Sequence, residues 1–90
     1  MKSLNEKEII FSSHADSKFD ILKQHDFDIS KTTIITALGR PDKVEPGYRG
    51  RKIAQMGLDE EHVIRIIFEV FHDTLKVVTF YPARRERYED

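Results

Sequence analysis

Apolar residues recur along this chain with two different periods, and the change from one to the other falls at Pro41. Ile9-Ile10-Phe11 is a short apolar run. The Ser12-Ser13 pair after it suits a helix start, where a serine accepts hydrogen bonds from the first free backbone N–H groups. A strand followed by a helix is predicted. In that helix Ala15, Phe19 and Leu22 recur at i, i+4 and i+7, with Asp16, Lys18, Asp20 and Lys23 largely on other faces. One stripe is therefore buried, and the helix ends near His25. Ser30 reads as the cap of a second helix: Ile29 and Ile34 form a hydrophobic staple around it, and Ile34, Ala37 and Leu38 make the stripe. Gly39 is expected to supply a left-handed terminus, since Pro41 cannot donate into a continuing helix.

Beyond Pro41 the period is two. Asp42 to Glu45 forms a candidate short strand before a Pro46-Gly47 turn, Ala54, Met56 and Leu58 alternate with Ile53, Gln55 and Gly57, and Asp59-Glu60-Glu61 is the next turn. His62 to Phe71 reads as the central strand, with Ile64, Ile66, Phe68 and Val70 on one face and Val63, Arg65, Ile67 and Glu69 on the other. Both faces are largely apolar, so cover on both sides is expected over part of its length. His72-Asp73 is the hairpin turn into Leu75 to Tyr81, and Pro82, lacking an N–H, is expected to end that strand. A two- or four-residue loop sets Arg65 opposite Phe80, and a three-residue loop sets it opposite Thr79. The element order specifies an α+β fold, with an N-terminal strand and two helices packed on one face of a three- to four-stranded antiparallel sheet.

Ninety residues support one compact domain, 1–90, without room for a second core. The 39% hydrophobic content excludes a charge-extended disordered chain, and 15 basic against 16 acidic residues argue against generic duplex binding. The absence of cysteine removes disulfides, thiolate metal sites and a cysteine nucleophile. Met1 to Glu8 lacks the apolar core of a signal peptide, and no stretch approaches the roughly 18 apolar residues of a membrane helix, so a cytoplasmic location away from membranes is expected. The histidines and acidic residues show no metal-ligand spacing and none of the four glycines opens a helix, so neither a metal nor a nucleotide cofactor is expected. All seven arginines follow Gly39, which concentrates in the second half the side chain best suited to gripping phosphate or carboxylate.

Phe11-Ser12-Ser13-His14-Ala15, Arg40-Pro41-Asp42, Gly50-Arg51, Arg65 and Val78-Thr79-Phe80-Tyr81-Pro82-Ala83-Arg84-Arg85 form a distinctive set. Together they resemble a small uncharacterised prokaryotic family with the signature FS-x-HA … PD … LRVV … VVT-x-YP, related to the BrnT and RelE/ParE-type toxins of toxin–antitoxin systems. The closing Ala83-Arg84-Arg85-Glu86-Arg87-Tyr88 is similar to the arginine-rich ending of BrnT proteins. The resemblance covers essentially the whole chain. It implies a RelE-like fold, a metal-independent endoribonuclease acting as an mRNA interferase, RNA as substrate, and a cognate antitoxin protein over the active face. A homodimer is also compatible with it. The chain departs from RelE in lacking a strongly basic composition, which weighs against ribosome-dependent cleavage.

Metal-independent RNA cleavage needs a base for the 2′-hydroxyl, an acid for the departing 5′-oxygen and cations at the phosphate. His14, at a helix start where the dipole favours neutral imidazole, is the candidate base; packing or a loop hydrogen bond is the plainer role for it. Arg65, in a mostly apolar strand, requires an anion: the scissile phosphate, Glu69 on the same face, or a carboxylate from a helix. Thr79, Tyr81 and Arg84 are candidates to flank the same surface, although Tyr81 fits ordinary core equally well. Arg85, Arg87 and Tyr88 combine charge with an aromatic ring suited to single-stranded RNA, or form a solvated tail. Arg49, Arg51 and Lys52 make a second basic turn that, with the tail, is a candidate border of one RNA groove.

Overall fold

A computed structural model describes residues 6–88. The elements are β1 (Glu8–Phe11), α1 (Ser13–Gln24), α2 (Lys31–Gly39), β2 (Lys43–Pro46), β3 (Lys52–Gly57), β4 (His62–Phe71), β5 (Thr74–Arg84) and the single turn α3 (Arg85–Tyr88). A 3-10 turn at Tyr48–Gly50 joins β2 to β3. The fold is α+β, with α1 and α2 packed on a five-stranded sheet of order β1-β5-β4-β3-β2. Strands β2 to β5 are antiparallel, and β1 joins at the edge parallel to β5, which makes the sheet mixed. No described helix is long and apolar enough to cross a membrane.

Both helices begin at the serines that the sequence marks. Ser12 Oγ accepts from the Ala15 N–H at 3.0 Å, and Ser30 forms a reciprocal capping box with Thr33, each cap contributing about 1 kcal/mol. The end of α2 corrects the expectation for Gly39, which is not left-handed. Pro41 confines the residue before it to extended backbone, and Arg40 accordingly stops the helix at φ −142°. The left-handed residue is instead Asp26, at φ 67°, after the end of α1.

Ala54, Ile64, Ile66, Phe68, Leu75, Val77 and Phe80 on the sheet pack against Ala15, Ile34, Ala37 and Leu38 on the helices. The ring of Phe19 lies between those of Phe11 and Phe80, with centroids 5.8 and 4.8 Å away. Removing apolar surface of this kind from water is the main stabilising contribution to the fold.

The β4–β5 register departs from both sequence alternatives. His72-Asp73 forms a two-residue turn, with Phe71 opposite Thr74, and a regular ladder from there would bring Arg65 to Phe80. The ladder instead slips between Phe68↔Val77 and Ile67↔Thr79, leaving Val78 as the extra residue of a β-bulge, and Arg65 stands opposite Tyr81. The bulge also exchanges the faces of β5. Leu75 and Val77 point to the core before it and Phe80 after it, which turns Thr79 and Tyr81 to the opposite side. Nor does Pro82 end the strand, which runs to Arg84. Because β1 pairs with Thr74–Val77, Pro82 lies on a stretch of edge that has no outer partner strand among the described residues, where a missing N–H is tolerated.

Among the described residues, the face turned away from α1 and α2 carries no helical layer of comparable length. Val63 and Arg65 are nonetheless buried there. Part of that cover comes from α3: a Cβ added at Gly57, the partner of Val63, would stand 2.5 Å from Nη2 of Arg85. The cover expected on both sides of β4 is thus supplied here by long side chains.

Candidate functional site

Four neighbouring strands each contribute one side chain to a line across this open face. Arg65 on β4, only 5% exposed, donates from Nε to Tyr81 Oη on β5 at 3.1 Å. Its Nη1 donates to Gln55 Oε1 on β3 at 2.5 Å, and its Nη2 to Glu45 Oε1 on β2 at 2.5 Å. The register explains the meeting, since Arg65 stands directly opposite both Gln55 and Tyr81. Glu45 is one strand further on, within reach of the long guanidinium fork.

Burial works against the charge on Arg65, but the hydrogen bonds to Glu45 and Tyr81 outweigh it and hold the guanidinium above its ordinary pKa. The bond from Arg65 holds the Glu45 carboxyl below its ordinary value of 4.5, against a smaller opposing effect of burial. Glu45 is therefore ionised at neutral pH, and its side chain is 38% exposed. Tyr81 accepts from a group that can only donate, so its own O–H proton remains available to another acceptor.

Glu45 is the residue that sequence reasoning missed. The sequence places it only at the end of a candidate short strand, Asp42 to Glu45, and its distance from Arg65 depends on the β2–β3–β4 register. The anion is neither Glu69 nor a helix carboxylate: Glu69 accepts from Arg51 Nε at 3.1 Å instead.

The expected site residues divide between places. Thr79 and Tyr81 share the open face with Arg65, and Thr79 Oγ1 is buried without a hydrogen-bond partner. Arg84 stands opposite His62, in the alternation that faces the helices, and so points away from that line. His14 lies exposed on α1, and none of its side-chain atoms is hydrogen-bonded or ion-paired to Arg65, Thr79 or Tyr81. The side chain that α1 sends toward the open face is Lys18, one turn on. It donates to the Phe80 carbonyl at 2.9 Å, and its Nζ is 6.0 Å from the centre of the Tyr81 ring.

Arg49, Arg51 and Lys52 lie at the turn between β2 and β3, whereas Arg85 and Arg87 lie on α3. Lys52 is level with Phe68 and Arg84 with His62, so the two basic segments stand about 20 Å apart at opposite ends of β4. The Arg65 line crosses midway between them. Arg85 is also engaged, donating from Nε to the Asp59 carbonyl at 2.6 Å, and Glu60, Glu61 and Glu86 line the same shallow cleft as Arg84 and Arg85. The side chain of Tyr88 is outside the described residues. Among the described residues no group of three or more histidine and acidic side chains is placed to hold a metal ion.

No protein-family model, curated protein or solved structure matches this chain. An ionised carboxylate, a fixed guanidinium and a phenol with a free proton, in line on an open surface with basic groups beyond each end, can take a proton, balance negative charge and give a proton.

Proposed function

We propose that this protein is a metal-independent endoribonuclease, the toxin of a type II toxin–antitoxin system, and that single-stranded RNA lies across the open face of its sheet. The observation that carries the reading is the line Glu45–Arg65–Tyr81. In this reading Glu45 takes the proton of a ribose 2′-hydroxyl, whose oxygen attacks the adjoining phosphorus. Arg65 balances the charge gathering on the phosphate, and Tyr81 gives its proton to the departing 5′-oxygen. The products are a 2′,3′-cyclic phosphate and a 5′-hydroxyl end, and the proton on Glu45 returns to Tyr81 through water. The basic segments at Arg49–Lys52 and on α3 hold the strand on either side. The resemblance to BrnT and RelE/ParE toxins supports the same assignment, with a cytoplasmic location and an antitoxin that covers this face.

A second reading, a non-catalytic RNA- or protein-binding module, is favoured by one observation: Arg65 is 5% exposed and already engaged by its neighbours. Incubating the purified protein with single-stranded RNA in EDTA and mapping the new ends separates the two. Cleavage leaving cyclic-phosphate ends, lost in Glu45→Gln and reduced at least tenfold in Tyr81→Phe, is the expected result. Binding without new ends would install the second reading.

A further inference from the structure

Tyr48 is 91% exposed, an aromatic ring held almost wholly in water. It does not sit on a loose loop. Gly47 donates to the Arg51 carbonyl at 2.8 Å and Arg51 to the Tyr48 carbonyl at 3.0 Å, closing a tight turn with Arg49 and Gly50 at φ 57° and 76°. Arg51 is further tied to Glu69. The residues flanking Tyr48, among them Val44, Pro46, Gly47, Gly50 and Lys52, line a shallow cleft.

We infer that this turn is a nucleobase subsite, in which Tyr48 stacks on one base of a single-stranded RNA while Arg49 takes the neighbouring phosphate. The inference rests on the nuclease reading and names how its substrate is held. Three of the four residues after Tyr48 are cationic, which favours a polyanion over a protein surface. Stacking on a ring already exposed, on a turn whose backbone is already closed, costs little reordering of the backbone, and it accepts any base because every base has a π-face. Tyr48 follows Glu45 by three residues, so a base stacked here brings its strand to the end of the Arg65 line.

The test uses a 2′-O-methyl single-stranded oligonucleotide, which binds but cannot be cut by 2′-hydroxyl attack. By fluorescence anisotropy, Tyr48→Ala should weaken binding roughly tenfold and Tyr48→Phe less than about threefold. The salt dependence should stay unchanged in Tyr48→Ala but fall in Arg49→Ala. The chain has no tryptophan, so Tyr48→Trp introduces a single indole, whose emission should be quenched as the oligonucleotide binds. Wild-type binding with full affinity in Tyr48→Ala, or with an unquenched indole, would overturn the subsite and leave the nuclease reading standing. A wild type that binds no RNA would overturn both and turn attention to a protein partner.

Discussion

Ser12 and Val78 are joined by one short hydrogen bond, the serine Oγ donating to the valine carbonyl at 2.6 Å. The same hydroxyl accepts from the Ala15 N–H, so one side chain both caps α1 and anchors the bulge that turns Tyr81 toward Arg65. The start of a helix on one side of the sheet is thereby coupled to the register of the site on the other.

Ser12→Ala should destabilise the protein by about 1–2 kcal/mol, the cap and the anchor being lost together. Urea denaturation measures this directly. Unchanged stability would mean that neither bond contributes.

Glu45 gives a pH signature. Its folded-state pKa is lowered by Arg65, so its contribution to stability is present above the ordinary value of 4.5 and is lost as pH falls through the lower folded value. Wild-type stability should therefore decline below about pH 4.5, and Glu45→Gln should decline less steeply. Asp59, held below its ordinary value first by the Glu61 N–H and then by His62, keeps part of the acid dependence in the variant. Identical acid slopes in the two proteins would argue that the Arg65 bond contributes nothing.

Arg65 separates stability from activity. Arg65→Ala should cost about 2–4 kcal/mol, through a cavity and through Gln55 and Tyr81 left without their donor. Arg65→Met, in which the same acceptors lose their donor but most of the volume is filled, should cost about 1–2 kcal/mol less than Arg65→Ala. Thermal denaturation gives the comparison. Both variants should lose RNA cleavage, and an active Arg65→Met would remove the guanidinium from the proposed mechanism.

Gly57→Ala should displace Arg85, whose Nη2 lies 2.5 Å from the new Cβ position. Losing the bond to the Asp59 carbonyl should lower stability by about 1 kcal/mol. The same substitution in an Arg85→Ala background should cost much less. A full cost in both backgrounds would place the strain in the backbone of β3.

The alternation of Ile64, Ile66 and Phe68 with Val63 and Arg65 made the two faces of β4 legible from the chain alone, as the serines did for both helix starts. What escaped reading were events of register. Val77-Val78 carried a signal, since two adjacent valines before Phe80 break the phase set by Leu75 and Val77, but a strictly alternating strand reads straight through a bulge. Glu45 was hidden because a four-residue edge strand has too little pattern to fix its pairing. Pro82 misled because the absence of an outer partner strand beside it is a property of the whole sheet. The exposed Tyr48 carried no periodic signal, lying in a turn where neither helix nor strand spacing applies.

The parallel pairing of β1 with β5 bears on how the protein reaches this state. The β4–β5 hairpin closes through two residues, whereas Ile9 meets Leu75 across 66 positions of chain, which costs on the order of 3 kcal/mol more in closure entropy. The hairpins can assemble early from neighbouring segments, and the β1–α1 unit docks against them late. Ser12 arrives with that unit. Before it docks, nothing from the helical layer holds the bulge at Val78, so the alignment of Tyr81 with Arg65 is among the last features of the fold to become fixed.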